Sequence, residues 1–191
     1  IPVNAPLCMP AALLPIEPYT LGAWLGDGSS ADGRITGADP EIFDAIRAEG
    51  YEVGGDTAPS KPCAETRTVY GLVSLLRSLG LRGDKHIPIY YQRGSVGQRM
   101  ELLRGLMDTD GHCNTRGTAT FVNTNERLTR DVYDLCAGLG LKPRIYRYAN
   151  HRGPVWQVAF QAYQGMNPFR LPRKAARAKP GARPRPRRYI V

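Results

Sequence analysis

Apolar positions along this 191-residue chain fall into short runs, alternately of helical and of strand spacing, and the same order of runs occurs twice. After a proline-rich opening, helical spacing begins at Glu17-Pro18 and carries Tyr19, Leu21 and Leu25 to a stop at Asp27-Gly28. Residues 28–33 have hairpin-turn chemistry, with Asp32-Gly33 between two short extended runs. Asp39-Pro40-Glu41 opens a second helix with an N-cap aspartate, places Ile42, Phe43 and Ile46 inside it and closes at Gly50. Residues 51–70 alternate weakly and predict two strands around Pro59-Ser60-Lys61-Pro62, and Leu72 to Leu79 predicts a short amphipathic helix.

The second half repeats this order. Residues 96–108 have helical spacing, and Thr118 to Asn123 is strand-like. Thr124 or Asn125 caps a helix through Val132, Leu135 and Leu139. Arg144 to Tyr148 and Val155 to Phe160 alternate around Asn150-His-Arg-Gly-Pro154, which predicts a hairpin. A short basic helix is expected after Asn167-Pro168. Each half reads helix, hairpin, helix, hairpin, helix, so the fold class is α+β with the αββαββα unit repeated.

The repeat is sharpest in two segments. Thr20-Leu-Gly-Ala-Trp-Leu-Gly-Asp-Gly28 and Leu103-Arg-Gly-Leu-Met-Asp-Thr-Asp-Gly111 share Gly at the third position, a small residue at the seventh, Asp at the eighth and Gly at the ninth. On a helix the third and seventh positions lie on one face, so Gly22 with Gly26, and Gly105 with Thr109, form two narrow faces. Packed together, they bring Asp27 and Asp110 side by side. Adjacent carboxylates repel unless something positive lies between them, and an all-oxygen site suits Mg²⁺.

Charge narrows the partner. The chain carries +9, with 26 Lys and Arg against 17 Asp and Glu. Residues 135–191 hold half of the basic residues and no acidic one. A basic segment interleaved with aromatic residues points to a polyanion, nucleic acid above all. Together with an acidic pair, this predicts metal-assisted phosphodiester hydrolysis. Cys8, Cys63, Cys113 and Cys136 are isolated and read as reduced thiols of a cytoplasmic protein. No apolar run approaches the roughly 20 residues of a membrane span. His86 and His112 lack partners at metal-ligand spacing, and Asp108-Thr-Asp110-Gly111 lacks the remaining ligands of a calcium loop.

The paired motifs, with Lys85-His-Ile-Pro-Ile-Tyr90 ahead of the second, resemble the LAGLIDADG homing endonucleases, in particular the endonuclease domains of actinobacterial inteins. The resemblance covers residues 17–178. It departs from the family pattern at Leu25, where the second motif keeps Asp108. It implies a monomeric, Mg²⁺-dependent, site-specific double-strand DNA endonuclease that leaves 3′ overhangs, with Mn²⁺ or Ca²⁺ able to replace Mg²⁺ in binding. It implies Asp27 and Asp110 as metal ligands, the carbonyls of Gly26 and Thr109 as helpers, and Lys85 as an active-site lysine. Lys174 is the expected counterpart in the second half.

In this family two antiparallel sheets form a saddle on DNA. The resemblance assigns that part to Arg144, Tyr146, Tyr148, Gln157 and Gln161 in the second half and to Lys61, Arg67 and Thr68 in the first, with Arg173 added beside Lys174. In the last hairpin Trp156, Val158 and Phe160 are expected to face the core. A catalytically decayed DNA-binding relative and a maturase-like RNA-binding relative stay open as alternatives. Self-splicing needs a terminal Cys or Ser and a closing His-Asn pair, and neither end here carries them. The organisation expected is therefore a lead-in over 1–16 from a missing splicing domain, lobes over 17–95 and 96–178, and a basic Pro/Arg-rich tail over 179–191.

Overall fold

The computed structural model describes residues 5–61, 64–151, 153–163, 165–179 and 181, and the side chains of these except 56–61. The expected tail falls largely outside them, as do Pro62 and Cys63. Cys8, Cys113 and Cys136 are free thiols. No helix among the described residues is long and apolar enough to cross a membrane.

The first half runs α1 (Pro18–Asp27), β1 (Arg34–Gly37), α2 (Pro40–Ala48), β2 (Val53–Lys61), β3 (Ala64–Val69) and α3 (Leu72–Ser78). A short α4 (Ile89–Gln92) leads into α5 (Val96–Thr109). The second half continues with β4 (Gly111–Cys113), β5 (Thr118–Asn123), α6 (Glu126–Gly138), β6 (Arg144–Asn150), β7 (Gly153–Gln161) and α7 (Pro172–Ala175). Two sheets result, ordered β1-β3-β2 and β4-β5-β7-β6, with every pairing antiparallel.

The first sheet is one strand short of the expected repeat. The first extended run around Asp32-Gly33 shrinks to a single bridge between Gly28 and Ile35. The turn there is closed by Ser29 N–H on the Arg34 carbonyl, 2.8 Å, and by the Trp24 indole N–H on the Asp32 carbonyl, 2.9 Å. The Ser29 bond belongs to that bridge, and the Trp24 indole takes the Asp32 carbonyl beyond it. Residues 59–61, expected in a loop, belong instead to β2, which stays extended to Lys61.

The apolar stripes all converge. Tyr19, Leu21, Trp24 and Leu25 of α1, Ile42, Phe43 and Ile46 of α2, Leu102, Leu103 and Leu106 of α5 and Leu128, Val132 and Leu135 of α6 belong to one buried cluster. Helices therefore cover one face of each sheet and leave the other open. Sequence signals for helix starts hold at α5, where Ser95 and Gln98 form a capping box. At α6, Asn125 accepts from the Leu128 N–H at 3.1 Å. At α2 the helix starts at Pro40 with Asp39 at the N-cap as expected, but Asp39 makes no cap bond, because its carboxylate is held elsewhere.

The lead-in is extended but anchored. Leu7 N–H donates to the Gly138 carbonyl at 2.9 Å, and buried Arg99 donates to the carbonyls of Leu7, Gly94 and Gly138. Gln98 bonds both backbone groups of Ala12.

Candidate active site and nucleic-acid face

The two motif helices lie against each other backbone to backbone. A Cβ on Gly22 would stand 2.2 Å from the Leu102 carbonyl oxygen, and one on Gly105 would stand 2.1 Å from that of Tyr19. One turn further, a Cβ on Gly26 would collide with the Thr109 hydroxyl at 2.0 Å. Since Gly22 meets Gly105 and Gly26 meets Thr109, α1 and α5 run side by side in the same direction. Their C-terminal ends, and with them Asp27 and Asp110, arrive together.

Asp27 and Asp110 lie close enough for each to feel the other's charge. Burial, then the neighbouring Asp27 charge, push the Asp110 carboxyl up to about 6. Asn123 Nδ2 donates to Asp110 Oδ2 at 3.0 Å and fixes that carboxylate in place. Asn123 escaped the sequence reading. By spacing it reads only as the last residue of a strand, ahead of the capping candidates Thr124 and Asn125.

Each motif helix ends in carbonyls gathered by one lysine. Lys85 Nζ donates to the carbonyls of Leu25, Gly26 and Gly28 at 3.1, 3.4 and 2.7 Å. Lys174 Nζ donates to those of Asp108, Thr109 and Gly111 at 2.6, 3.3 and 2.7 Å, and to Met107 at 3.0 Å. Leu25, Gly26 and Gly28 match Asp108, Thr109 and Gly111 motif position for motif position. An ammonium at a helix C-terminus satisfies orphan carbonyls and complements the helix dipole. Burial brings Lys85 down to about 8 against the opposing pull of Asp110 and Asp27. Burial lowers Lys174 as well.

The carbonyls of Gly26 and Thr109, expected as metal helpers, accept the longest of these bonds and keep a second lone pair each. Among the described residues no group of three or more His, Cys, Asp or Glu could hold a metal. The available donor set is the carboxylate pair with nearby carbonyls, all hard oxygen, which fits Mg²⁺ or Ca²⁺ rather than zinc. A cation there would also relieve the repulsion that raises Asp110.

Asp108, the aspartate without a counterpart in the first motif, is buried and structural. It accepts the Tyr19 hydroxyl at 2.9 Å and the N–H groups of Arg170 and Leu171 at 3.1 and 3.2 Å. These bonds seat the segment that carries Lys174.

Strand register sorts the expected DNA contacts by face. Tyr146 pairs with Gln157, Arg144 with Ala159 and Thr118 with Gln161, so Arg144, Tyr146, Tyr148, Gln157 and Gln161 share the open face of the second sheet. Tyr146 and Tyr148 are exposed there. His112, paired with Thr120, joins the same face through β4. Val158 and Phe160 are buried as expected, but Trp156 lies at the core margin, half-buried between the guanidinium groups of Arg130 and Arg147 at 5.3 and 5.6 Å.

In the first sheet Thr68 pairs with Arg34 on the open face, where the Arg34 guanidinium bonds Asp32 at 2.9 Å. Arg67 is corrected: it pairs with buried Ile35, lies 5.3 Å over the Phe43 ring and bonds Glu65, so it belongs to the helix side. Neighbours on a strand face opposite ways, so Arg67 and Thr68 could never both read one groove. Arg173 is corrected too. Its guanidinium is engaged by both Asp39 oxygens at 2.6 Å and is not directed to a phosphate. The Lys61 side chain lies outside the described residues.

Comparison with known proteins fits this geometry. A family model described as LAGLIDADG-like domain matches residues 97–160. Over that segment, which runs from α5 to β7, the chain is similar to the LAGLIDADG family. The crystal structure of I-DmoI in complex with DNA and calcium superposes with a TM-score of 0.58 at 17% identity, covering 84% of this chain and 94% of that one. A single-site variant of I-DmoI with its target DNA and magnesium gives 0.54 at 15% identity, covering 76% and 88%. At such identities the likeness is one of fold. A replicative DNA helicase DnaB of Mycobacterium intracellulare is 47% identical over 127 residues, 66% of this chain. The chain spans about a fifth (19%) of that relative's length.

Proposed function

We propose that this chain is the homing-endonuclease domain of an intein inserted in a replicative helicase gene, and that it cuts both strands of DNA at one long, pseudo-palindromic site. The observation that carries the reading is the convergence of Asp27 and Asp110 at paired helix ends, each end gathered by one lysine. The DnaB match, confined to a small part of that protein's length, supports an inserted element. Two halves in one chain make a monomer sufficient, and the action is on chromosomal DNA in the cytoplasm.

Asp27 and Asp110 would hold Mg²⁺, with the Gly26 and Thr109 carbonyls within reach. When bound, the ion would supply Lewis-acid charge and a nucleophile from water at neutral pH. The chain's own groups do the rest. Lys85 and Lys174 keep positive charge beside the site, where it opposes the charge developing on a phosphate. Asn123 locks the Asp110 rotamer. Arg144, Gln157 and Gln161 present the donor and acceptor types that read base edges, and Tyr146 and Tyr148 add flat polar surface beside them. Arg34 and Thr68 serve the first half.

The test is a plasmid carrying the uninterrupted host-gene junction, incubated with Mg²⁺ and then with EDTA. Linear product with Mg²⁺ and none with EDTA is expected. Tight binding without any cut in Mg²⁺ would replace this reading by that of a decayed, DNA-binding relative.

A further inference from the structure

Each lysine-bearing segment is held by the opposite half of the chain. The segment 84–88 of the first half is fastened by α6 of the second. Asn125 Nδ2 donates to the Lys85 carbonyl at 2.8 Å, Asp131 Oδ2 accepts the Ile87 N–H at 2.8 Å, and Arg127 pairs with Asp84. The segment 167–175 of the second half is seated on its own α5 by Asp108 and Glu101 and is tied to the first half as well. Asp39, at the start of α2, grips Arg173 with two bonds of 2.6 Å. Arg170 stacks 4.1 Å from the Tyr19 ring centroid and pairs with Glu49.

Asp39 and Asn125 occupy the same place in the repeat, the N-cap of the second helix of each half. Asn125 uses its oxygen to cap its own helix and its amide nitrogen to hold Lys85. Asp39 gives up the cap and spends both oxygens on Arg173, next to Lys174. The contacts are reciprocal and chemically different, so they arise from the arrangement of the halves rather than from a copied motif.

We propose that Asp39 and Asn125 are positioning residues that set the opposite half's active-site lysine, so that each strand's cut depends on correct docking of the two halves. This rests on the nuclease reading above. A half that is misdocked leaves its partner's lysine segment unfastened, and a displacement of about 1 Å at such a group can cost on the order of 100-fold in rate. Coupling of that kind would keep an incompletely docked enzyme from cutting both strands.

The experiment uses the full chain with two variants that keep helix-capping chemistry, Asp39→Asn and Asn125→Asp. Supercoiled plasmid bearing the host-gene junction is followed to nicked and linear forms in Mg²⁺, and the strand cut is mapped by end sequencing. Each variant should accumulate nicked circles, with second-strand cutting slowed about 10- to 100-fold, and the slow strand should differ between the two. DNA affinity should stay within about twofold of the parent. The charge swap Asp39→Arg with Arg173→Asp should restore linear product.

Unchanged cutting of both strands, slowing of the same strand by both variants, or no recovery in the swap would overturn the proposal. Amide hydrogen exchange gives a readout that needs no cleavage. Residues 170–178 should exchange faster in Asp39→Asn alone, and residues 85–92 in Asn125→Asp alone. If the parent chain makes no cut, the nuclease reading fails by itself, and exchange decides whether the reciprocal hold exists; unchanged exchange would remove it.

Discussion

Gly105 rests directly on Gly22 across the interface of the two motif helices, close enough that a Cβ on Gly105 would stand 2.1 Å from the Tyr19 carbonyl oxygen and 2.6 Å from the Ala23 nitrogen. Both obstacles are backbone, so neither can swing aside. Gly105→Ala must separate α1 from α5, and with them Asp27 from Asp110. The expected loss is about 2–3 kcal/mol in thermal or denaturant unfolding, together with loss of cleavage. A variant of parental stability would show that the helices are not in backbone contact.

Asp27→Asn and Asp110→Asn test the carboxylate pair. Each should abolish double-strand cleavage and leave DNA binding nearly intact. Without metal, Asp110→Asn should be no less stable than the parent, because it removes a buried charge that Asp27 disfavours. Mg²⁺ should raise the parent's Tm and leave that of the double variant unmoved, since a ligand stabilises only a state that binds it. A double variant that still cut DNA would remove these residues from the site.

Arg144 and Arg67 were both expected on DNA, and the register separates them. Arg144→Ala should weaken binding and, if it meets phosphate, reduce the slope of log affinity against log salt by about 1. Arg67→Ala should leave that slope unchanged and instead cost stability, up to about 1 kcal/mol, through its lost contact with Phe43. Filter binding over a salt series, with melting curves alongside, distinguishes the two. Equal slopes for both variants would contradict the face assignment.

The Asp39–Arg173 pair predicts a pH signature. The Arg173 hydrogen bonds hold the Asp39 carboxyl below the usual carboxylate range. A depressed acid stabilises the fold fully above its unfolded value, near about 3.9, and that contribution disappears as pH falls through the lower folded value. The stability gap between the parent and Asp39→Asn should be constant from pH 7 to about 5 and close below about 4. Because Arg173 is half in solvent, the gap should stay under about 1 kcal/mol. A gap that widened in acid would have the wrong sign for this pair.

Local signals in the chain carried most of the architecture. Helix starts at Pro18, Pro40 and Asn125, the β6–β7 hairpin and the small-residue faces of both motifs all depend on neighbours within one or two turns, and each appears where spacing put it. The first hairpin shrank to one bridge between Gly28 and Ile35, and the Trp24 indole, not a strand, takes the Asp32 carbonyl.

The amino-acid sequence by itself determined the repeat, the α+β order and the pairing of Asp27 with Asp110, because periodicity and a nine-residue motif are properties of contiguous chain. Tertiary structure alone decided the rest. It put Arg67 on the helix side, since strand register is a pairing property. It gave Lys174 the same carbonyls at the end of α5 that Lys85 has at the end of α1, although nothing near Lys174 in sequence resembles the surroundings of Lys85. It also drew Asp39 away from its own helix to Arg173, 134 residues on. Contacts between such distant groups are fixed by how the two halves dock, and no local pattern records that.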